Sequence, residues 1–217
     1  MKKLFLSTIA LAMVFAFTSC KDDVTPPEIT LPTDASVPVF QLGDKTAALN
    51  GVTAKDKKDG DVTSNLGVEG LEYVDSAATL IYSVSDEAAN MAVANRTATI
   101  SAEKLFGNYG VSEIVVGGSG NPDTYNVTVG ASQVKGKAAL IIDNFYESWQ
   151  ATFVGKAGEA TLEMIPFTVT SDGGATATVS GQCTYSNNGT YTLVKATWKL
   201  AEANKPDIEM EATYTVR

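Results

Sequence analysis

The sequence has 217 residues, a formal net charge of −9, no histidine and two cysteines, Cys20 and Cys183. An acidic chain repels phosphate backbones, so nucleic acid is not expected as a partner. Without histidine, Ser-His-Asp and Cys-His catalysis and every zinc site built on imidazole are excluded.

Residues 1–19 read as a signal peptide. Lys2 and Lys3 supply a positive start, and Leu4 to Phe17 form an apolar run. That run is shorter than the ~20 residues a membrane-spanning helix needs. Thr18 and Ser19 then precede Cys20, the small-small-Cys pattern of a lipobox, with Phe17 standing where Leu is usual. Cleavage would make Cys20 an acylated N-terminus. It would also remove Lys2 and Lys3, taking the net charge from −9 to −11. Two or three acyl chains, at about 0.8 kcal/mol per buried methylene, hold a protein durably to a membrane. Cys183 is then left alone, so no internal disulfide is expected. Its alternating surroundings, Val179 to Tyr185, make it a small buried hydrophobe.

Residues 20–27 read as a tether, because Lys21-Asp22-Asp23 and Pro26-Pro27 do not suit a packed element. The Cys20-Lys21-Asp22-Asp23 start resembles the export signal that carries Bacteroidota lipoproteins to the outer face of the outer membrane.

Beyond this point no sustained helical period occurs. Short runs rich in Thr, Val, Ile, Tyr and Phe alternate with a period of two, which predicts an all-β chain. In residues 28–101 the expected strands are Glu28–Leu31, Val37–Phe40 at an edge because of Pro38, Gly51–Ala54, Ala78–Ser85 and Ala92–Ile100. This spacing suits a small β-sandwich.

The same stretch resembles a bacterial immunoglobulin-like family common in surface proteins. The motifs are Pro26-Pro27-Glu28-Ile29-Thr30-Leu31, Gly51 through Asp59-Gly60-Asp61-Val62-Thr63, Tyr82-Ser83-Val84-Ser85-Asp86-Glu87-Ala88-Ala89-Asn90, and Arg96. Ala89 stands where the family has glycine, so a less left-handed turn is expected there. The resemblance implies an Ig-like sandwich acting as a spacer.

In residues 102–217 the expected strands are Thr124–Val129, Ala138–Phe145, Trp149–Val154, Thr161–Thr170, Ala175–Tyr185, Thr190–Leu200 and Asp207–Val216. Turns at Asp172-Gly173-Gly174 and Asn187-Asn188-Gly189 join neighbours into an antiparallel meander, which must curl into a barrel or a sandwich to bury one face. Along Thr190–Leu200, Val194, Ala196 and Trp198 are expected to share a face opposite Leu193 and Lys195. The order Phe106–Tyr109, Tyr125–Val129, Ile141–Phe145, Ile165-Pro166-Phe167, Val179–Gly181 and Ala212–Tyr214 resembles small Bacteroidota lipoproteins. The whole chain resembles two-domain accessory lipoproteins of starch-utilisation-type loci. That implies an outer-membrane location facing the exterior, with a TonB-dependent transporter and its substrate-binding lipoprotein as partners.

Asp56, Asp59 and Asp61 crowd one loop and offer oxygen ligands suited to calcium. Their spacing is not that of an EF-hand, and a plain Asp-rich turn is the stronger expectation. No metal or cofactor is therefore assigned. Tyr146 and Trp149, in the aromatic stretch Asn144–Trp149, can stack on a sugar face or grip a peptide side chain; a place capping the core is nonetheless the stronger expectation for both, as it is for Phe145 and Trp198. Asp75-Ser76-Ala77 fits the short pattern for O-glycosylation at Ser76. Glu159 with Glu163, and Glu209 with Glu211, lie on exposed faces where charge solvates a sheet, so no enzyme is read here. The function expected is non-enzymatic accessory or ligand capture, for peptide or glycan uptake. A barrel that binds lipid in an interior lined by small residues, or an adhesin or spacer without a small ligand, remains open.

Overall fold

Strict alternation builds the first region. In the run Ala77–Ser85 every second side chain is buried, so one face packs and the other meets water. The computed structural model describes residues 23–71, 77–134, 138–146, 149–156, 160–170, 174–188 and 190–217. The described strands up to residue 101 are β1 (Glu28–Thr30), β2 (Val39–Gln41), β3 (Thr53–Asp56), β4 (Gly60–Asp61), β5 (Gly67–Glu69), β6 (Ala77–Ser85) and β7 (Met91–Ser101). They form two sheets, β1-β3-β4 and β2-β7-β6-β5, with β2 joining β7 in parallel at the edge. Ala54 and Val62 face Val84 across the gap, with Ile29 packed beside them. Arg96 holds Asp34 through two hydrogen bonds of 2.9 and 2.7 Å and lies over the Phe40 ring.

The sequence pattern did not reveal one short helix, α1 (Lys45–Leu49). Asp44 caps it by accepting the Ala47 amide at 3.0 Å. Ala48 is buried, and its carbonyl accepts the Tyr82 hydroxyl at 3.0 Å. Five residues are too few to show a period, and the helix persists through this cap and its packing.

The second region begins with β8 (Gly107–Val115), where glycines obscured a strand in the sequence. It continues through β9 (Asp123–Ala131), β10 (Ala139–Phe145), β11 (Trp149–Gly155), β12 (Thr161–Met164), β13 (Phe167–Thr170), β14 (Thr176–Ser186), β15 (Thr192–Glu202) and β16 (Ile208–Val216). Pro166 has no N–H to donate and divides what the sequence suggests is one strand into β12 and β13, both paired with β14. Because β12 also pairs with β11, and β16 with β8, the meander closes into an eight-stranded barrel. The chain is all-β, and the choice between barrel and sandwich for this region falls to the barrel.

One expected face assignment is corrected. The β14–β15 ladder slips by one residue between Thr184 and Tyr185. The extra residue on β15 turns Val194 outward, while Leu193 and Ala196 both point inward and are fully buried. A bulge of this kind breaks the period of two on which the assignment rested.

The sandwich and barrel meet over a continuous core. Across the junction Asn187 Nδ2 donates to the Gly43 carbonyl at 2.9 Å, and Lys104 donates its amide to Gln41 Oε1 at 3.1 Å. The Lys104 ammonium lies 5.0 Å from the Tyr191 ring centroid. These contacts gather at the Ser101 end of β7 and the Gly107 end of β8. The Met91 end of β7 and the Val115 end of β8 therefore point away from the junction. With eleven residues, β7 alone spans about 35 Å.

Candidate functional site

At the end of the barrel remote from the sandwich, the β10–β11 turn gathers aromatic rings. Asn144 is bulged out of the ladder with φ +63°, and its Nδ2 donates to the Asn126 carbonyl at 2.6 Å. That kink turns Phe145 into the core, fully buried as expected. Tyr146 follows with φ +29°. Its ring centroid lies 5.0 Å from both Trp149 and Trp198, and Trp149 meets Phe167 edge-on at 6.0 Å. Tyr146 and Trp149 are each half-buried, so each serves the core with one side and presents the remainder to solvent.

Beneath these rings lies a residue that the sequence reading missed. Glu113 points inward from β8 and is only 2 % exposed. Its Oε1 accepts Trp198 Nε1 at 2.7 Å and its Oε2 accepts the Tyr125 hydroxyl at 3.0 Å. Burial pushes the Glu113 carboxyl above its ordinary value, against the opposing pull of those two donors, and burial likewise raises the Tyr125 phenol. The signal was present: Tyr109, Val111 and Glu113 alternate on one face, and an acid on an apolar face marks a buried polar network. Gly181 is paired with Trp198 in the ladder. A Cβ at Gly181 would stand 2.6 Å from that of Trp198, so the close approach of the two strands requires glycine. A surface cleft of about 370 Å³ runs over this pairing, edged by Lys199 and Glu209.

The barrel interior is filled. Phe145, Phe153, Leu140, Ile142, Leu162 and Met164 are almost wholly excluded from water. A lipid-binding barrel required small residues lining that space, and large ones occupy it. Cys183 is fully buried, with its thiol pushed up to about 12 by burial, which keeps it protonated and inert. Glu211, exposed in part, pairs with Lys195 at 2.6 Å, and Glu209 and Glu163 face solvent.

A second cluster forms at the opposite extreme, beside the Met91 end of β7. Carboxylate oxygens of Asp23, Asp56, Asp59 and Asp86 all lie within 4.8 Å of one another. The β3–β4 turn aims Asp56, whose Oδ1 accepts the amides of Lys58 at 2.6 Å and Asp59 at 2.9 Å. Those amides hold the Asp56 carboxyl below its ordinary value. Asp59 Oδ2 accepts the Glu87 amide at 2.8 Å, which ties this turn to the β6–β7 turn. Asp86 accepts the Asn90 amide at 2.7 Å and the Asn90 side chain at 2.8 Å. Asn90 also donates to the Asp23 carbonyl at 3.0 Å. The end of the supposed tether is thus docked: Asp23 is half-buried and Pro27 buried.

The expected trio is therefore corrected. Asp61 turns away and accepts the Thr63 amide at 2.9 Å, as an Asp-turn does, while Asp23 and Asp86 take places that spacing along one loop does not reveal. The turn at Ala89 is corrected as well. Ala89 has φ +65°, as left-handed as a glycine would be. The bonds from the Ala89 amide to the Asp86 carbonyl and from the Asp86 amide to the Asn90 carbonyl, both 3.2 Å, hold it there. Cys20, Lys21, Asp22, Ser76, Glu159 and the residues 172–173 and 189 of two expected turns lie outside the described residues.

No family model matches the chain. No curated protein matches it. Among solved structures it is similar to the lipoprotein BT2262 from Bacteroides thetaiotaomicron, at 12 % identity and a TM-score of 0.31, over 86 % of this chain and 99 % of that one. It is also similar to the CBM51-2 and INT domains of Clostridium perfringens ZmpB, solved in complex with GlcNAc. There the identity is 13 % and the TM-score 0.26, over 88 % of this chain and 44 % of that one. Likenesses this faint carry neither an activity nor a ligand across to this chain.

Proposed function

We propose that this chain is a lipoprotein, acylated on Cys20 and displayed on the outer face of the outer membrane. There it serves as a non-enzymatic accessory or ligand-capture subunit of a TonB-dependent complex importing peptide or glycan. The observation that carries the reading is the placing of the two ends. Asp23, three residues from the anchor cysteine, sits at the extreme of the sandwich remote from the barrel. Tyr146 and Trp149 sit at the extreme of the barrel remote from the sandwich. An anchored chain built this way holds its aromatic end away from the membrane. The packed interior favours contact at the surface over enclosure of a small hydrophobe, and a chain without histidine suits binding and hand-over. Half-exposed aromatic rings supply large contact area at little cost in side-chain freedom.

Affinity purification through a C-terminal tag from detergent-solubilised outer membranes tests this. The native chain is expected to recover a TonB-dependent transporter, and Cys20→Ala to release the protein from the membrane and lose that partner. A native chain that carries no acyl group, or that never recovers a transporter, defeats the proposal.

A further inference from the structure

We propose that Asp23, Asp56, Asp59 and Asp86 form a calcium site that clamps the segment next to Cys20 onto the sandwich.

The geometry fits one ion. Calcium takes oxygen ligands at about 2.4 Å, so ligands on opposite sides of a single ion stand about 4.8 Å apart. The four carboxylates present oxygens that all fall within that span. A hard, oxygen-only donor set selects calcium or magnesium over zinc or copper. Magnesium keeps several waters and a strict octahedron, whereas calcium accepts many carboxylates in irregular arrangement.

Independent support comes from two orphaned atoms. Asp56 is only 2 % exposed, and its Oδ2 has no hydrogen-bond partner among the described residues. Asp23 Oδ2 is likewise buried and unpartnered. A buried carboxylate oxygen without a donor loses its hydration with nothing in return, and the loss is greater for a charged group than for a neutral one. Both atoms belong to carboxylates of the cluster, where a cation satisfies them together. The remaining contacts serve to aim the ligands. The Lys58 and Asp59 amides occupy Asp56 Oδ1 and leave Oδ2 for the ion, while the Thr25 amide does the same at Asp23 Oδ1.

The ligands come from three places in the chain: the entry segment, the β3–β4 turn and the β6–β7 turn. An ion would therefore cross-link strands whose order in the sequence is remote, and would fix the direction in which the chain leaves toward Cys20. This holds whatever the aromatic end of the barrel meets.

The test uses the full mature chain in detergent, stripped of metal and titrated with calcium chloride. Calorimetry is expected to show about one ion per chain, and a tenfold excess over Kd to raise Tm by about 3–5 °C. Magnesium at the same concentration is expected to give a smaller shift. Tryptic cutting at Lys57 and Lys58 should slow several-fold when calcium is present. Asp56→Asn is expected to abolish binding and Asp61→Asn to leave it intact. Should Asp56→Asn fail to fold, Asp23→Asn reports on the same site, since it alters only the entry segment. Native protein that binds no calcium, or Asp23→Asn protein that binds it as the native chain does, overturns the proposal.

Discussion

In the barrel the Glu113 carboxylate lies among aromatic rings with one indole and one phenol as its donors. At the far turn of the sandwich four carboxylates stand together, and Asp56 among them is held by backbone amides. The two regions answer the same electrostatic problem in opposite ways. Surrounded by apolar wall, Glu113 has its carboxyl raised and tends toward the neutral acid. Amide donors lower the Asp56 carboxyl, so it stays charged and invites a cation. The barrel is thus stabilised by exclusion of water, and the sandwich turns by polar aim.

That contrast can be broken most forcefully from the barrel side. Phe153→Ala removes a fully buried ring that packs edge-on against Phe145. Chemical denaturation is expected to show a loss of about 3–5 kcal/mol. A loss below 1 kcal/mol would mean that closure of the ring, not its filling, supports this region.

A sharper probe separates packing from charge. Trp198→Phe keeps a ring and removes the donor to Glu113 Oε1, at an expected cost of about 1–3 kcal/mol. The sign of the pH dependence follows from the raised Glu113 carboxyl. The unfolded chain gives up this proton at the ordinary value and the folded chain holds it to a higher pH, so native stability falls as pH climbs from one to the other. Losing the indole raises the folded value further. The penalty of Trp198→Phe should therefore be smaller at pH 4 than at pH 8. Equal penalties at both would show that the indole does not favour the charged form of Glu113.

The smallest effect lies in the sandwich. Ala89→Gly relieves a left-handed alanine, which costs roughly 1–2 kcal/mol, against a glycine entropy cost of about 0.5–1 kcal/mol. Denaturation should report a gain of about 0.5–1 kcal/mol, and a loss would show that the turn tolerates alanine without strain.

Alternation made most strands legible in the sequence, because a sheet with one buried face imposes a period of two on its side chains. The features that escaped are those where that period is interrupted or too short to see. The bulge that puts Leu193 inward, the glycines of β8, and the single turn of α1 all lack a run long enough to read. Site residues escaped for a different reason. Asp56 and Asp59 neighbour each other in one loop, but Asp23 and Asp86 reach them only through folding. Asp86 stood in plain view within the motif that resembles the Ig-like family, where nothing marked it as a ligand. Glu113 needed β8 to be recognised first, since only the inward positions Tyr109 and Val111 make an acid there unusual.

The seam between β8 and β16 sets a condition on how this barrel can assemble. Each other strand of the ring meets partners near it in the chain, whereas Tyr109 waits for Val216 and Val115 for Met210. Until the last strand in chain order arrives, β8 offers an unsatisfied edge, the kind of template on which other chains pair. A ribosome delivers residues 107–115 before residues 208–216 and so leaves that edge bare in the interval. Loss of β16 by frameshift or proteolysis should accordingly yield aggregates instead of a looser monomer.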